Sequence, residues 1–411
     1  MKKYESQFRK LTDVGSVNRG KSKHRPRNAP ELYGGTYPFV QTGDVKAASL
    51  FITDYTQTYS ERGLAQSKLW QPGTLLITIA ANIAETAILK IPACFPDSII
   101  GFISKKGESD VRFIKYCLEV YKSEMQSISR GTTQDNLSQG KLLSLRFRIP
   151  DFMQQRKIAA ILSAYDELIE NNTRRIALLE RMAEEIYHEW FVRLRFPGHE
   201  QVKVVKGVPE GWEAKRLPEI ADITYGFPFN GSRFNNEGRG NPIIRIRNIP
   251  ESITNDYTDE MADKKYVVQR GDLLVVMDGE FHINHWQGDD AYLVQRVCRI
   301  KAKASLLQSY LAHAIRTPVK HFESILMGAT VGHLGAIHLK NMNILVPSND
   351  IQNKLHILDE IHEQKLLLAK TTRSLSKTRD LFLPRLISGK LAVEHLDIQF
   401  PPGMVAEEKP K

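Results

Sequence analysis

The chain has 411 residues, 42% hydrophobic and 25% charged, which is typical of a folded protein with substantial cores in two or three domains. Its formal charge of +10 favours a polyanionic partner such as nucleic acid. Three widely spaced cysteines argue against a disulfide framework. The absence of a bilayer-spanning apolar run or a secretory signal core argues against a membrane or exported protein, so we expect a cytoplasmic location.

The first half of the chain predicts a mixed α/β domain followed by a long helix. Residues 75–79 form an apolar run rich in β-branched side chains after a Pro-Gly turn, which indicates a buried strand. Asp110 precedes apolar residues at helical spacing, which predicts a capped helix with one face in a core. From about residue 154 to 193 there is no Gly or Pro, and near-heptad apolar spacing predicts a helix roughly 58 Å long.

The second half predicts the same kinds of element in the same order. Residues 273–277 indicate a buried strand, and a helical stripe beginning near residue 306 is expected to break at Pro318. In residues 245–248 every second residue is an arginine, and this alternation predicts a strand with Arg245 and Arg247 on one face. A second long helix is expected from about residue 351 to 382, closed by Pro384.

Four short sequence segments in the first half of the chain have similar counterparts about 200 residues later, in the same order. The paired segments are residues 11–14 and 217–220, 71–77 and 269–275, 131–137 and 328–334, and 149–150 and 346–347. This period is too long for a solenoid, so it indicates duplication of a whole domain with its helix and suggests a ligand with two similar parts.

Each long helix carries an apolar seam that is unstable if left in water. We expect the two helices to pack against each other as an antiparallel pair, and the alternative is that each packs on its own domain. The residues predicted at this helix-pair or partner interface are Ile158, Ile161, Tyr165, Leu168, Leu179, Ile186, Leu358, Ile361, Leu368, Leu375 and Phe382.

Residues 15–22 match the phosphate-binding loop pattern G-x-x-x-x-G-K-S, and Asp278 follows an apolar strand as a magnesium ligand would. A working loop needs a buried strand before it and a helix after it, but residues 8–14 are polar, and Pro26 and Pro30 interrupt the segment that follows. Hydrolase, metalloprotease and methyltransferase motifs do not occur in the sequence. We therefore predict a chain that is noncatalytic by itself, without a catalytic residue or metal site; an ATPase or nuclease stays as an alternative.

The remaining candidates concern nucleic-acid binding. Five basic residues within residues 19–27 indicate an exposed basic loop, although a merely solvated charge run is the alternative. Its counterpart near residue 230 mixes Arg with Asn and Ser, which can read base edges, and residues 132–136 form a polar loop or a plain turn. The DNA-binding candidates are Arg19, Lys21, Lys23, Arg25, Arg27, Thr132, Thr133, Gln134, Asn136, Asn230, Ser232, Arg233, Arg245, Arg247 and Asn248.

The whole chain resembles the specificity subunit of type I restriction-modification systems. The motifs that carry the resemblance are Gly-Trp-Glu…Leu at 211–217, Gly-Asp-Leu-Leu at 271–274, Gly-Thr-Thr-Gln at 131–134, Gln-Arg-Lys-Ile-Ala at 155–159 and Leu-Ile-Ser-Gly-Lys-Leu at 386–391. The resemblance implies two target recognition domains that each read half of a bipartite double-stranded DNA sequence. A stand-alone nucleic-acid-binding scaffold is the alternative.

The expected fold is therefore α+β, with two similar mixed α/β target recognition domains joined by two long helices packed as an antiparallel coiled coil. The expected boundaries are 1–150 and 199–347 for the two domains, 151–198 and 348–392 for the helices, and 393–411 for a C-terminal tail. The resemblance further implies two methyltransferase subunits as partners, and restriction subunits in a system that has them. This chain is expected to bind no cofactor, because S-adenosylmethionine belongs to the methyltransferase, and ATP and Mg²⁺ to the restriction subunit.

Overall fold

Two compact units divide the chain. The structure, a computed structural model, describes residues 6–129, 137–303, 308–326 and 332–405. Unit 1 contains the described parts of Met1–Asn171 and Thr372–Lys411, and unit 2 contains the described parts of Asn172–Thr371. Each unit therefore includes one mixed α/β segment and a part of both long helices.

Unit 1 is built on a five-stranded sheet in the order β2-β8-β6-β7-β4, beside the pairs β1-β9 and β3-β5. Its strands are β1 Ser6–Arg9, β2 Gly15–Arg19, β3 Tyr33–Phe39, β4 Phe51–Ile52, β5 Gln57–Tyr59, β6 Leu75–Thr78, β7 Thr86–Leu89, β8 Ile99–Ser104 and β9 Phe147–Pro150. Its helices are α1 Leu11–Val14, α2 Thr42–Ala47, α3 Glu61–Ala65, α4 Val111–Val120, α5 Lys122–Ser129, α6 Gln139–Ser144 and the long α7 Phe152–Tyr187, which continues into unit 2. The Asp110 side chain accepts hydrogen bonds from the amides of Arg112 and Phe113, which confirms the predicted cap of α4.

Unit 2 has a four-stranded sheet in the order β13-β21-β18-β19 and a five-stranded sheet in the order β14-β16-β15-β20-β17. Its strands are β10 Val204–Val205, β11 Val208–Pro209, β12 Glu213–Arg216, β13 Ala221–Tyr225, β14 Phe234–Asn235, β15 Asn241–Ile244, β16 Tyr257–Thr258, β17 Val267–Val268, β18 Leu273–Val276, β19 Ile283–His285, β20 Ala291–Leu293, β21 Val297–Ala302 and β22 Asn343–Val346. Its helices are α8 Leu217–Ile220, α9 Gln308–Ala314, α10 Arg316–Leu326, α11 Ala336–Lys340, α12 Asn349–Gln352 and the first part of the long α13 His356–Ile387. The last helix within the described residues, α14 Pro402–Val405, belongs to unit 1.

The same backbone frame recurs in both units, which confirms the predicted duplication. β1 pairs with β9 in unit 1 as β12 pairs with β22 in unit 2, and the order β2-β8-β6-β7 matches β13-β21-β18-β19. The match extends to side chains: Gln155 Nε2 donates to the Pro150 carbonyl at 2.9 Å, and Gln352 Nε2 donates to the Pro347 carbonyl at 2.8 Å. One ancestral unit therefore accounts for both halves.

The long helices pack against each other inside each unit, and they run antiparallel. In unit 1, Tyr165 lies edge-on to Phe382 with ring centroids 6.1 Å apart, and Arg379 pairs with the buried Asp166. In unit 2, Lys365 Nζ lies 2.9 Å from Glu180 Oε1. Contact positions rise along α7 as they fall along α13, as an antiparallel pair requires.

The predicted seam residues take different positions in these two units. Most are buried or half-buried. Ile158, Ile161 and Phe382 lie in or against the core of unit 1, and Tyr165 is half-buried beside Phe382. In unit 2 the core residues are Leu179, Ile186, Leu358 and Ile361, whereas Leu368 and Leu375 are half-buried along α13. Leu168 is instead 51% exposed on α7, so it stays a prediction only as a partner contact.

Three local predictions differ from the structure. Pro384 does not close the second long helix, which continues to Ile387, because the ring removes only one backbone donor and Leu386 and Ile387 gain burial in the unit 1 core. The stripe near residue 306 breaks at Ile315, and Pro318 lies in the first turn of α10, where a missing amide hydrogen is tolerated.

The third difference concerns residues 245–248, which do not form a strand. β15 ends at Ile244, and residues Ile246–Asn248 form a 3-10 helix that Asn248 closes by accepting a hydrogen bond from the Arg245 amide at 2.7 Å. A side-chain acceptor three residues on competes with strand pairing for that amide. Arg245 and Arg247 therefore project from a turn at the end of the sheet.

The C-terminal segment is part of the unit 1 core. Val393 and Met404 are buried there, and Lys157 Nζ donates to the carbonyls of Glu394 and Leu396 at 2.8 Å each. The three cysteines are free, as their wide spacing predicts, and the structure buries all three. Among the described residues, the structure contains no helix long and apolar enough to cross a membrane.

Candidate nucleic-acid interface

A basic loop follows β2 in unit 1. Arg19 ends the strand, and Lys21, Lys23, Arg25 and Arg27 follow it in irregular structure, with all five residues exposed. Arg27 forms two hydrogen bonds to the Asp97 carboxylate at 2.8 and 2.9 Å, whereas Lys21 and Lys23 make no side-chain ion pair with any described residue. The predicted exposed loop is present, and the two lysines are its most available charges.

The backbone of this basic loop is fixed by its neighbours. Gln66 Oε1 accepts hydrogen bonds from the amides of Lys23 and His24 at 2.6 and 3.0 Å, and Ser67 Oγ donates to the Lys21 carbonyl at 2.7 Å. At Gly20 a Cβ atom would lie 2.2 Å from the Pro96 carbonyl oxygen, so no side chain fits there. The loop therefore presents its charges from a defined backbone, which reduces the entropy lost on binding.

In unit 2, two arginines converge on one acid. Arg247 pairs closely with Asp256, whose side chain is 3% exposed, and Arg245 Nη1 lies 3.7 Å from the same carboxylate. Asn248 is buried and donates to Asp256 at 3.0 Å, so its amide is used within the fold. Burial raises the pKa of Asp256, but hydrogen bonds from Arg247 and Asn248 outweigh it and leave the pKa below its ordinary value. The ionised carboxylate holds both guanidinium groups at the surface.

The other unit 2 candidates lie on a short turn before β14. Asn230 caps this turn, since its side chain accepts from the Ser232 amide at 3.0 Å. Arg233 Nε donates to Asp259 at 2.6 Å, and this hydrogen bond raises the pKa of Arg233. All three residues that were predicted here are exposed or half-exposed and near each other, but each already has a partner in the fold.

Two adjoining cavities in unit 2 contain residues that sequence reasoning missed. One, of about 470 Å³, is lined by Tyr225, Gly226, Met277, Gln295, Arg296 and His333. The other, of about 350 Å³, is lined by Phe229, Gly231, Phe234, Arg245, Ile246, Arg247, Val294, Gln295 and Arg296. They share Gln295 and Arg296, so we call them together the unit 2 groove. Arg245 and Arg247, which were predicted separately, face this same groove.

Asp278 lies beside the unit 2 groove and holds two of its residues. One carboxylate oxygen accepts from Arg296 Nη1 and the other contacts His333 Nδ1, while the Asp278 side chain itself is only 10% exposed. Burial raises the pKa of Asp278, and the hydrogen bonds to His333 and Arg296 more than compensate, so the pKa falls below its ordinary value. Asp278 therefore binds the side chains of Arg296 and His333, and it does not have the surroundings of the magnesium ligand that its sequence context resembles.

The phosphate-loop pattern at residues 15–22 likewise has a different structure. Gly15–Arg19 is itself strand β2, and irregular backbone follows it up to the 3-10 helix Pro30–Leu32. A phosphate-binding loop would place these glycines between a strand and a helix N-terminus. The local geometry thus removes the basis for the ATPase alternative.

Four predicted contacts, Thr132, Thr133, Gln134 and Asn136, lie outside the described residues. The residue after them, Leu137, donates its amide to the Ile79 carbonyl at 2.9 Å, as Leu334 does to the Met277 carbonyl at 2.7 Å. The predicted correspondence between residues 131–137 and 328–334 is therefore seen at their last residues, Leu137 and Leu334. The role of the four predicted residues in binding stays a prediction.

The sequence matches one family model and several proteins of the same family. A profile described as type I restriction modification DNA specificity domain matches residues 3–181 and 209–374. The chain is 25% identical over 414 residues to the type I restriction enzyme MjaIX specificity subunit of Methanocaldococcus jannaschii, covering 94% of each sequence. It is 29% identical over 196 residues to the EcoBI specificity subunit of Escherichia coli, covering 46% of this chain and 41% of that protein.

A comparison of folds agrees with this grouping. The crystal structure of the type I restriction-modification S subunit from M. genitalium aligns with a TM-score of 0.65 at 15% identity, covering 94% of this chain and 97% of that one. At this identity the likeness concerns the fold, and it supports two mixed α/β units connected by long helices.

Proposed function

The chain belongs to the family of type I restriction-modification DNA specificity proteins, and from this premise we propose that each unit reads one half of a bipartite DNA target. The observation that supports the proposal best is the duplicated frame, because two equivalent units suit a ligand with two similar parts. In this proposal the chain is noncatalytic by itself and acts on DNA in a bacterial or archaeal cytoplasm.

Each unit enters a major groove, where arginine and amide side chains distinguish bases, while lysines contact phosphates. In unit 1 the basic loop carries the phosphate contacts, with Lys21 and Lys23 as its most available charges. In unit 2 the groove that contains Arg245 and Arg247 faces the bases. The net charge of +10 supports this arrangement, because counterion release strengthens binding by a basic surface.

The long helices set the distance between the two half-sites and dock two methyltransferase subunits. Several large apolar side chains are exposed on α7 and α13, and they support the docking role because they offer apolar contacts to another protein. They are Leu168, Leu178, Met182, Leu367 and Leu381. The partner methyltransferase carries S-adenosylmethionine and must rotate its target adenine out of the duplex. Restriction subunits, where present, carry ATP and Mg²⁺.

The direct test is a genome-wide map of N6-methyladenine in the host with and without this gene. We expect methylation at one split motif with a fixed gap to disappear when the gene is deleted and to return on complementation. An unchanged map in a host whose partner methyltransferases are expressed would contradict the proposal.

The spacing role has its own test. Inserting four residues, about one helical turn, into both α7 and α13 should lengthen the gap of the methylated motif while leaving its two half-sites unchanged. Inserting four residues in the exposed turn at Gly238 is the matched control and should leave the gap as it was. A gap that does not change in the helix-insertion chain would rule out the spacing role.

A further inference from the structure

Because the two units share one backbone frame, residues at equivalent positions can be compared, and some of them differ in side-chain chemistry. Met277 donates its amide to the Arg296 carbonyl at 2.8 Å, and in unit 1 Ile79 donates to the Ser98 carbonyl at 2.9 Å. Arg296 in unit 2 therefore occupies the position of Ser98 in unit 1. Asp278, which follows Met277, likewise occupies the position of Ala80. The ion pair between Asp278 and Arg296 is thus an addition that the shared frame does not need.

The backbone at Arg296 supports the same conclusion. Its φ of 74° lies in the left-handed region, which favours glycine and costs other residues conformational energy. The Arg296 side chain is 58% exposed, so burial in a core does not explain why an arginine stands there. A strained, exposed, non-glycine residue in a groove points to a role for its side chain.

The geometry of the cluster leaves part of the Arg296 guanidinium available. Asp278 takes the Nη1 donor, and in the described part of the chain no other side-chain hydrogen bond of Arg296 occurs. The Nε–Nη2 edge can therefore form two parallel hydrogen bonds to an outside acceptor. His333, on the other oxygen of Asp278, prevents that carboxylate from rotating away. Asp278 is consequently a positioning residue for Arg296.

Arg296 also lies at the junction of the unit 2 groove, since it lines both cavities. A base edge that enters either cavity would pass the guanidinium. Two parallel donors from one arginine match the O6 and N7 acceptors that guanine presents in the major groove.

We propose that Arg296 is a specificity-determining residue that reads a guanine in the half-site of unit 2, with Asp278 positioning it. This inference rests on the proposed function and adds a base type and a residue to it. In unit 1 the equivalent positions carry Ser98 and Ala80, so these two positions supply no arginine and no carboxylate there.

The experiment compares methylation motifs in cells that carry the wild-type chain, Arg296→Lys and Arg296→Gly, each with the partner methyltransferases. Lys keeps a cation for Asp278 but cannot form the planar two-donor contact. Gly removes the side chain and suits the left-handed backbone. Both variants should relax the same single position of one half-site and leave the other half-site unchanged. Arg239→Gly, in an exposed turn outside the groove, is the matched control and should leave the motif intact.

Binding to synthetic DNA gives the second readout. Replacing the guanine at the relaxed position with 7-deazaguanine should weaken binding by the wild-type methyltransferase complex about 10-fold, and it should change binding of the Arg296→Gly complex little. Asp278→Asn should reduce discrimination at that same position, whereas a merely structural Asp278 would lower binding to all sequences equally.

The outcomes separate this inference from the proposed function. If wild type methylates a split motif and both Arg296 variants keep the same motif, the Arg296 inference is wrong and the proposed function stands. If wild type gives no split motif, the proposed function itself fails. Relaxation at an A·T pair in the methylation motif, or wild-type binding that 7-deazaguanine leaves unchanged, would also overturn the guanine assignment.

Discussion

The two units share a backbone and differ in where they place charge. At matched positions, the Gln41 amide donates to Asp44 and the Arg245 amide donates to Asn248, both at 2.7 Å. Unit 1 presents Gln41 there and keeps its positive charge on the basic loop, whereas unit 2 presents Arg245 on a groove. In the proposed function, a frame held by strand pairing with variable side chains on it would let recognition change without altering the fold.

A second difference lies in the helix pair. In unit 1 the side chain of Asp166 is fully buried, pairs with Arg379 and accepts a hydrogen bond from Tyr116 Oη at 2.6 Å. In unit 2 the pair between Glu180 and Lys365 reaches the surface, with Glu180 57% exposed and Lys365 21% exposed. The same antiparallel packing is therefore supported by a buried polar network in one unit and by a surface ion pair in the other.

The largest effect is expected from breaking that buried network. Asp166→Ala should destabilise unit 1 by about 3–5 kcal/mol, because it leaves the half-buried Arg379 guanidinium and the buried Tyr116 hydroxyl without their shared acceptor. Glu180→Ala, the matched change in unit 2, should cost about 0–1 kcal/mol. Calorimetry with hydrogen exchange on α4 and α13 would measure both. Equal losses in the two variants would contradict the contrast between the helix contacts.

An intermediate effect is expected from acid acting on unit 2. The pKa of Asp256 in the folded chain lies below its ordinary value, so its ionised form stabilises the fold above about pH 4, and this contribution is lost as the pH falls through the folded pKa. Asp256→Asn should therefore cost about 1–3 kcal/mol at pH 7 and progressively less below pH 4.

Urea denaturation at pH 7 and pH 3 would measure this difference. Glu237→Gln, at an exposed ion pair with Arg239 in the same unit, is the control and should have no such pH dependence. A cost of Asp256→Asn that is the same at both pH values would show that Asp256 does not act through its charge.

The smallest effect is expected from the basic loop of unit 1. Lys21→Ala and Lys23→Ala should each weaken DNA binding to the same degree for all sequences and reduce the salt slope of log K by about 1. Titrations at several salt concentrations would measure the slope, with Lys106→Ala as an exposed control in the same unit. A change in preferred sequence would show instead that these lysines contact bases.

The sequence predicts the duplicated frame well because the frame depends on local patterns. Residues 11–14 and 217–220, matched by sequence alone, are the helices α1 and α8, and apolar periodicity located both long helices. Pro384 does not end α13 as its sequence context predicts, because tertiary burial of the residues that follow it outweighs one lost backbone hydrogen bond.

The side-chain partners could not be predicted in the same way. Asp256 holds Arg247 from nine residues away, and Asp278 gathers Arg296 and His333 from 18 and 55 residues away. No periodicity connects these positions, since strand pairing alone brings them together. In the sequence, the cluster is indicated only by Asp278, because the equivalent position after β6 in unit 1 carries no acidic residue.

The most direct test of the central account compares the methylation motifs produced by Arg25→Ala, in the basic loop of unit 1, and by Arg245→Ala, in the unit 2 groove, with that of the wild-type chain. The account predicts that each variant relaxes a different half of the split motif and leaves the other half and the gap unchanged. Relaxation of the same half by both variants, or of neither half, would contradict the claim that two equivalent units read separate halves of the DNA target.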